Sequence, residues 1–590
     1  MSASSFGLFL APLLPLLLAL CWCLPRLREA VCAVTPWAPV PALLLALGGS
    51  NGSELQLPWL LLGSFFGLDA INRIFLGFTA MLWIGAGLHA QGHLAGDEKR
   101  QRFNLLWLLT MAGNLGLILA RDVVSFYAFF TLMSFAAYGL VIHERSTAAR
   151  RAGRVYLVMA VIGEALILSG LLLAAQWIPS PLMMPVLADI PASVAASRQR
   201  ELVFACLWLG FGIKTGLPLL HLWLPLAHPV APLPASVVLS GAMIKAGLLG
   251  WMYTLPLGIA SMESAGKLLM LTGLFAAFGA AFIGIHQRKA KTVLAYSSIS
   301  QMGLITVGIG AALHSAPLWP LLAPVLALYA LHHALAKGAL FLGVGIVRHN
   351  KRPLRWCLWG LLALPGLSLV GLGSSGMAAK LGLKELLYMA TVSLPESWQW
   401  LPHVFAFSAL ATSLLIARYF WLLHDGGTLK KAEQSAKPEE KISRSEWAGW
   451  GLIHACGTLF FLLLPIAQWG GRWPGSSGDL FELMWPAVLG GLLSLAALRL
   501  KLHAWKIPAG DVLPWIERLL KLISHAARRV GALAHRRLGS CYERSADCCL
   551  RLFRERGLSR RIEHFWRRDA ALVFAALMMT FVLLSLLLSR

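Results

Sequence analysis

FGIKTGLPLLHLWLPLAHPVAPLPASVVLSGAMIKAGLLGWMY, residues 211–253, sets two lysines, Lys214 and Lys245, in almost wholly apolar surroundings. Between them lie five prolines (Pro218, Pro225, Pro229, Pro232 and Pro234) and two histidines, His221 and His228. A charged side chain at membrane depth costs ~2.5 kcal/mol or more on insertion, so it normally faces a partner, a cavity or an ion path. The prolines remove backbone donors and interrupt helices, and non-helical backbone at that depth is tolerated only where it is buried in protein or lines a wet cavity. The stretch therefore reads as a broken membrane helix at a transport site.

The rest of the chain agrees. Hydrophobic residues fill 58% of 590 positions and charged ones 13%, which excludes a large soluble enzyme and places the chain among polytopic membrane proteins. The formal charge of +24 raises nucleic acid as a partner. The basic residues fall mostly in short loops between apolar runs, however, where they set topology instead. The nine cysteines form no CxxC pair, and no G-x-G-x-x-G follows a strand, so no cofactor and no metal site is expected. Cys541, Cys548 and Cys549, the only cluster, read as incidental or acylated.

Apolar runs long enough to span a bilayer predict sixteen transmembrane helices, near 6–24, 37–50, 69–91, 103–120, 122–142, 153–176, 202–222, 230–254, 266–285, 293–312, 320–347, 356–391, 401–423, 447–468, 481–499 and 570–589. The long run 356–391 contains Pro365, Gly366, Gly371 and Ser374–Gly376, a second break. Paired breaks suggest internal repeats. Lys and Arg concentrate after the first, third, fifth, ninth, eleventh and fifteenth spans, while loops 255–265, 313–319 and 392–400 have none. That bias puts both termini on the outer side of the membrane. Met1–Phe6 has no basic n-region, so the first run is expected to be retained. Residues 424–446 read as a flexible cytoplasmic loop. Residues 501–568 hold 16 Lys+Arg against 6 Asp+Glu, with apolar residues at helical spacing (Leu513, Ile516, Leu519, Leu520, Ile523). They predict a basic amphipathic segment against anionic lipid or a neighbouring subunit.

Four motifs carry a family resemblance. Lys214-Thr-Gly-Leu-Pro218 through His221-Leu-Trp-Leu-Pro225, His228-Pro229 and Lys245 form the first. Lys291-Thr-Val-Leu-Ala-Tyr296-Ser-Ser-Ile-Ser-Gln301-Met-Gly303 and His332-His333-Ala-Leu-Ala-Lys337-Gly-Ala-Leu-Phe341 form the next two, and Ser375-Gly-Met-Ala-Ala-Lys380 the last. Over roughly residues 60–425 the chain resembles the antiporter-like membrane subunits of complex I, Mrp cation/proton antiporters and energy-converting hydrogenases, including formate hydrogenlyase. The resemblance implies an all-α polytopic fold with a fourteen-helix core of two inverted five-helix repeats, each with one broken helix. It divides the chain into N-terminal helices (1–102), a first repeat (103–254), a second repeat (266–423), the 424–446 loop, further helices (447–499), an amphipathic lateral segment (500–569) and a final anchor (570–590).

The resemblance also implies the chemistry. Burial in a low-dielectric site disfavours a lysine's charged form and a nearby carboxylate favours it, so changing the carboxylate's charge or position loads or unloads a proton. Lys214, Lys245, His332, His333, Lys337 and Lys380 match family relay positions; His221, His228, Lys384 and Glu385 are further candidates. One position departs: where relatives carry a Glu in a Trp-Glu-Leu-Met-Ser-like run, this chain reads Phe130-Thr131-Leu-Met-Ser134. Glu164, alone in an apolar run one helix later, is expected to replace the missing partner and face Lys214; the alternative is a structural pair with Arg121 or Arg154. Asp69 matches a structural family position, and Ser297, Ser298 and Ser300 read as packing and water-ordering groups. The implied function is proton translocation, driven by partner membrane subunits and a soluble module. Alternatives are a cation/proton antiporter moving Na+, an inorganic-carbon uptake subunit, and a non-conducting structural member.

Overall fold

The computed structural model describes residues 3–61, 63–178, 185–348, 352–392, 394, 396–424, 442–463, 470–500, 505, 507–515, 517–519 and 522. Two compact units are distinguished, Met1–Asp511 and Val512–Arg590. In the second, Arg518 lies over the Trp515 ring at 5.3 Å. The expected final anchor, 570–590, lies outside the described residues, as do most of the lateral segment 500–569 and most of the 424–446 loop. All that follows concerns the first unit.

Thirteen helices in the described residues are long and apolar enough to cross a membrane, against the sixteen expected. Three of the expected spans make up the difference. The run 570–589 is outside the described residues. The expected span 202–222 is cut short: the helix Arg200–Thr215 ends at Gly216, whose φ of +92° places it in the left-handed region, where glycine alone carries no Cβ penalty. Pro218 then prevents resumption, and only the short helix Trp223–Ala227 forms before Pro229 and Pro232 interrupt the chain again. The run 447–468 is described as the helix Arg444–Leu463. A departure from the all-helical expectation is an antiparallel hairpin, Ser53–Leu57 with Ser64–Leu68.

After the break the chain re-enters as Leu233–Val238, passes through one π-helical turn, Leu239–Met243, and continues as Ile244–Thr254. A π turn shifts the hydrogen-bond ladder and often marks a functional site. The second expected break is confined to a few residues. Pro365 stays inside the helix Arg352–Val370, and the chain turns at Gly371 and Gly373, both with positive φ, before Ser374–Thr391 begins.

The spans Ala290–His314 and Ala316–Val347 sit at the centre, their apolar windows wholly buried within the protein, whereas Ala3–Trp22 and Ser477–Arg499 are 28% and 22% buried. On buried and less buried spans alike, the polar groups Glu164, Lys245, Lys337 and Lys380 are themselves buried. In lipid a polar side chain has partners only towards other helices, so this sorting puts the ionisable residues inward. Asp69 has the expected structural role: its carboxylate caps the helix Ala70–His93 at the Ile71 and Asn72 amides, and its Oδ2 pairs with Arg121 at 2.6 Å.

Candidate ion-translocation site

Lys214 occupies the last turn of Arg200–Thr215, 5% exposed. Its Nζ lies 5.4–5.9 Å from the ring centroids of Tyr156, Phe130 and Trp223, within range for cation–π attraction. Tyr156 comes from the helix Thr147–Ala175, which also presents Glu164, and Phe130 from Val123–Val141. Glu164 is 2% exposed, and its Oε2 accepts a 2.8 Å hydrogen bond from the Thr131 hydroxyl. Glu164 and Lys214 line one cavity with Phe130, Tyr156, Gly163 and Trp223, with room for about one water molecule. Among the described residues no ion pair joins the two directly. Arg121 is committed to Asp69, which removes one of the alternative partners for Glu164. Thr131, on the preceding helix, thus holds the Glu164 carboxylate.

The middle of the protein holds Lys245 and Lys337, 1% and 0% exposed. Lys245 Nζ donates to the Ser240 carbonyl, inside the π turn, at 2.7 Å. The Ser240 hydroxyl meets that of Ser298 at 2.8 Å, and Ser298 donates to the Leu294 carbonyl at 3.0 Å. Lys337 Nζ donates to the same carbonyl at 3.0 Å. The two lysines therefore donate to backbone carbonyls at either end of the Ser240–Ser298 hydroxyl pair, Lys245 to that of Ser240 and Lys337 to that of Leu294. The expected packing role fits Ser300, which donates across to the Ala277 carbonyl; Ser298 is instead part of the polar bridge. Nothing short of the π turn and the helix pairing announces it.

His333, four residues before Lys337, is fully buried, and neither ring nitrogen has a hydrogen-bond partner among the described residues. His332 Nδ1 contacts the Ser375 and Ser368 hydroxyls at 3.0 and 3.2 Å, which ties it to the second break. There Lys380 Nζ donates to the Val370 carbonyl at 2.9 Å, an acceptor freed by the end of the preceding helix. Lys384 pairs with Glu482, and both line a second cavity together with Lys380 and Ser408. Glu385 pairs with Arg472 at 3.4 Å, both half-exposed.

The two histidines of the first break behave differently from each other. His221 Nδ1 lies 3.3 Å from the Leu217 carbonyl, a backbone group at the break. Its Nε2 lies 2.8 Å from Asp511 Oδ2, which also accepts from the Tyr296 hydroxyl at 3.2 Å. His228 stacks on Phe341 at 4.7 Å, and its ring nitrogens have no hydrogen-bond partner among the described residues. Asp511 and Glu482 were invisible as site residues in the sequence because each acts on a residue far away in the chain; Thr131 was marked only as the position that lacks an acid. His89 and His93, spaced four apart, were also passed over, although that spacing puts both on one helix face.

The family model described as NADH:quinone oxidoreductase/Mrp antiporter, TM, matches residues 120–358, which contain both lysines of the first break and the His332–Lys337 cluster. Hydrogenase-4 component B of Escherichia coli (strain K12) is 30% identical over 293 residues, covering 48% of this chain and 43% of that relative. The chain thus spans less than half of that relative's length. A Hydrogenase-4 component F homolog of Methylacidiphilum infernorum (isolate V4) is 30% identical over 346 residues, covering 52% of this chain and 70% of the relative. Among solved structures, the Mrp complex from Dietzia sp. DQ12-45-1b aligns with a TM-score of 0.70 at 20% identity, over 90% of this chain and 60% of that one. With its buried lysines, broken helices and these relatives, the chain belongs to the antiporter-like membrane subunits of the NADH:quinone oxidoreductase/Mrp antiporter family.

Proposed function

We propose that this chain translocates protons as one subunit of a multisubunit membrane complex, through Glu164, Lys214, Lys245, His332, His333, Lys337 and Lys380. The observation that carries this reading is the cavity shared by Glu164 and Lys214. A lone buried lysine would be a cost without return, whereas a carboxylate and an amine facing one water-sized space can exchange a proton as their surroundings change. The Ser240 and Ser298 hydroxyls between Lys245 and Lys337 make that interval polar without themselves forming a continuous proton path, and the Lys380 cavity with Lys384 and Glu482 supports an exit or entry region in the second half.

In this reading other membrane subunits and a soluble driving module supply the energy, and the membrane is a bacterial cytoplasmic one with both termini outside. Residues 500–569 run against anionic lipid or a neighbouring subunit. The test is proton flux in vesicles carrying the assembled complex. Lys214→Ala is expected to lower flux sharply, and the same vesicles with a Na+ gradient replacing the pH gradient are expected to show none. Unchanged flux in Lys214→Ala would overturn the reading, and Na+-dependent flux would move it to the cation/proton antiporters.

A further inference from the structure

Away from the relay, one cluster of three potential metal ligands stands out among the described residues: His89, His93 and Glu446, whose donor atoms all lie within 4.8 Å of one another. His89 and His93 are on the last two turns of the helix Ala70–His93, and Glu446 is in the first turn of Arg444–Leu463. The two helices meet at glycines. A Cβ on Gly449 would lie 2.3 Å from the Gly85 carbonyl and 2.6 Å from the His89 amide, so only a residue without one permits this approach. Close backbone contact is what brings Glu446 over the His89 ring.

We propose that these three residues form a binding site for a divalent transition metal of the zinc class, which fastens the two helices together at the membrane surface. The separations suit it. His89 Nε2 and His93 Nδ1 lie 3.9 and 3.7 Å from Glu446 Oε1. Tetrahedral zinc with ligand bonds of about 2.0–2.2 Å needs donors about 3.3–3.5 Å apart, a closure of a few tenths of an ångström for each His–Glu pair, while the two imidazole nitrogens, within 4.8 Å of each other, would close by a rotation of the half-exposed His93 ring. Two imidazoles and one carboxylate leave a fourth position for water.

The surroundings of each ligand are also those of a metal site. His89 Nδ1 lies 3.2 Å from the Glu446 backbone carbonyl. A carbonyl can only accept, so Nδ1 carries the hydrogen and Nε2 keeps its lone pair. That Nε2 is buried and has no hydrogen-bond partner among the described residues, on a residue 1% exposed. An acceptor left bare in the interior is costly; a cation at the cluster satisfies it. On the acid, Oε2 accepts from the Ser443 amide at 2.8 Å and the Ser443 hydroxyl at 3.0 Å, which leaves Oε1 facing the imidazoles. Outer hydrogen bonds of this kind orient metal ligands. His93, with its side chain 32% exposed, provides the route by which the ion enters.

The competing account is a plain ion pair between protonated histidine and Glu446, and metal binding separates the two. The full-length chain, purified in detergent and stripped with a chelator, is dialysed against Zn2+ alone and its bound metal and melting temperature are measured. Wild type is expected to hold one more zinc per chain than His93→Ala and to melt at a higher temperature with Zn2+ than without. His93→Ala, at a partly exposed position, is expected to keep the metal-free melting temperature and lose the zinc-dependent rise. Ser443→Ala should weaken zinc binding by about tenfold, and Co2+ in place of Zn2+ should give visible absorption typical of tetrahedral coordination in wild type only. Equal zinc content in wild type and His93→Ala, or a melting temperature that Zn2+ leaves unchanged in wild type, would overturn the proposal.

Discussion

The bond between Thr131 and Glu164 offers a direct test of the relay, because it can be cut without changing shape. Thr131→Val replaces the hydroxyl with a methyl group of nearly the same volume, so the shape of the side chain is kept. The lost bond is 2.8 Å long, buried, and made to a carboxylate. Bonds to charged groups contribute about 1.5–3 kcal/mol, and each 1.4 kcal/mol is a factor of ten. If the carboxylate is charged when it exchanges a proton with Lys214 through their common cavity, proton flux should fall by roughly 10- to 100-fold, with Thr131→Ser retaining most of it. The decisive measurement is the double-mutant cycle with Glu164→Gln, read as flux in vesicles carrying the assembled complex. Once the carboxylate is an amide, removing the hydroxyl should cost little more. An equal loss from Thr131→Val in both backgrounds would mean that the hydroxyl serves helix packing and that Glu164 is not its target.

Three further outcomes are expected. Ser298→Ala removes the link between Ser240 and the Leu294 carbonyl shared with Lys337; flux should drop severalfold while the melting temperature in detergent stays within a degree or two, and a melting change without a flux change would assign the serine to packing. Gly376→Ala would set a Cβ 1.7 Å from the Ser368 carbonyl oxygen and 2.8 Å from His332; overpacking of this kind costs about 1–3 kcal/mol or more, so the variant should melt well below wild type, and an unchanged melting temperature would show that the second break is not packed in this way. In the loop after the Ala70–His93 helix, partial burial pushes the Asp97 carboxyl up, but the Lys99 amide and His143 outweigh it and hold the group below its ordinary value. A carboxyl depressed in the folded state contributes stability that is present above its unfolded value and is lost as pH falls through the folded one. Wild type should therefore lose stability on acidification below about pH 4 more steeply than Asp97→Asn, as melting curves against pH would show; parallel curves would dismiss the contribution.

Much of the architecture was legible in the linear order of residues because lipid imposes a simple requirement. Apolar runs must match the bilayer's thickness, and backbone groups must be satisfied within each span. Lys214 and Lys245 stood out as site candidates because a lysine among apolar neighbours is unusual wherever it falls, whereas Lys337 and Lys380 were named by the resemblance of their motifs. The proline-rich break after Lys214 was equally plain, since Gly216 and Pro218 act on their own backbone and need no partner. Local chemistry of that sort does not depend on which helices meet.

Pairing between helices does depend on it, and there only the tertiary structure decided. That Glu164 shares a cavity with Lys214, that Thr131 supports that carboxylate, and that a serine pair lies between Lys245 and Lys337 are consequences of how helices distant in sequence pack. So is the juxtaposition of Glu446 with His89 across more than three hundred residues. The span 356–391 shows the same division at smaller scale. Its glycines and proline announced a break, but positive φ angles at Gly371 and Gly373, not Pro365, placed it, and so determined which carbonyl was freed for Lys380. Composition told that polar groups must face inward; the geometry of the packed helices told which of them face one another.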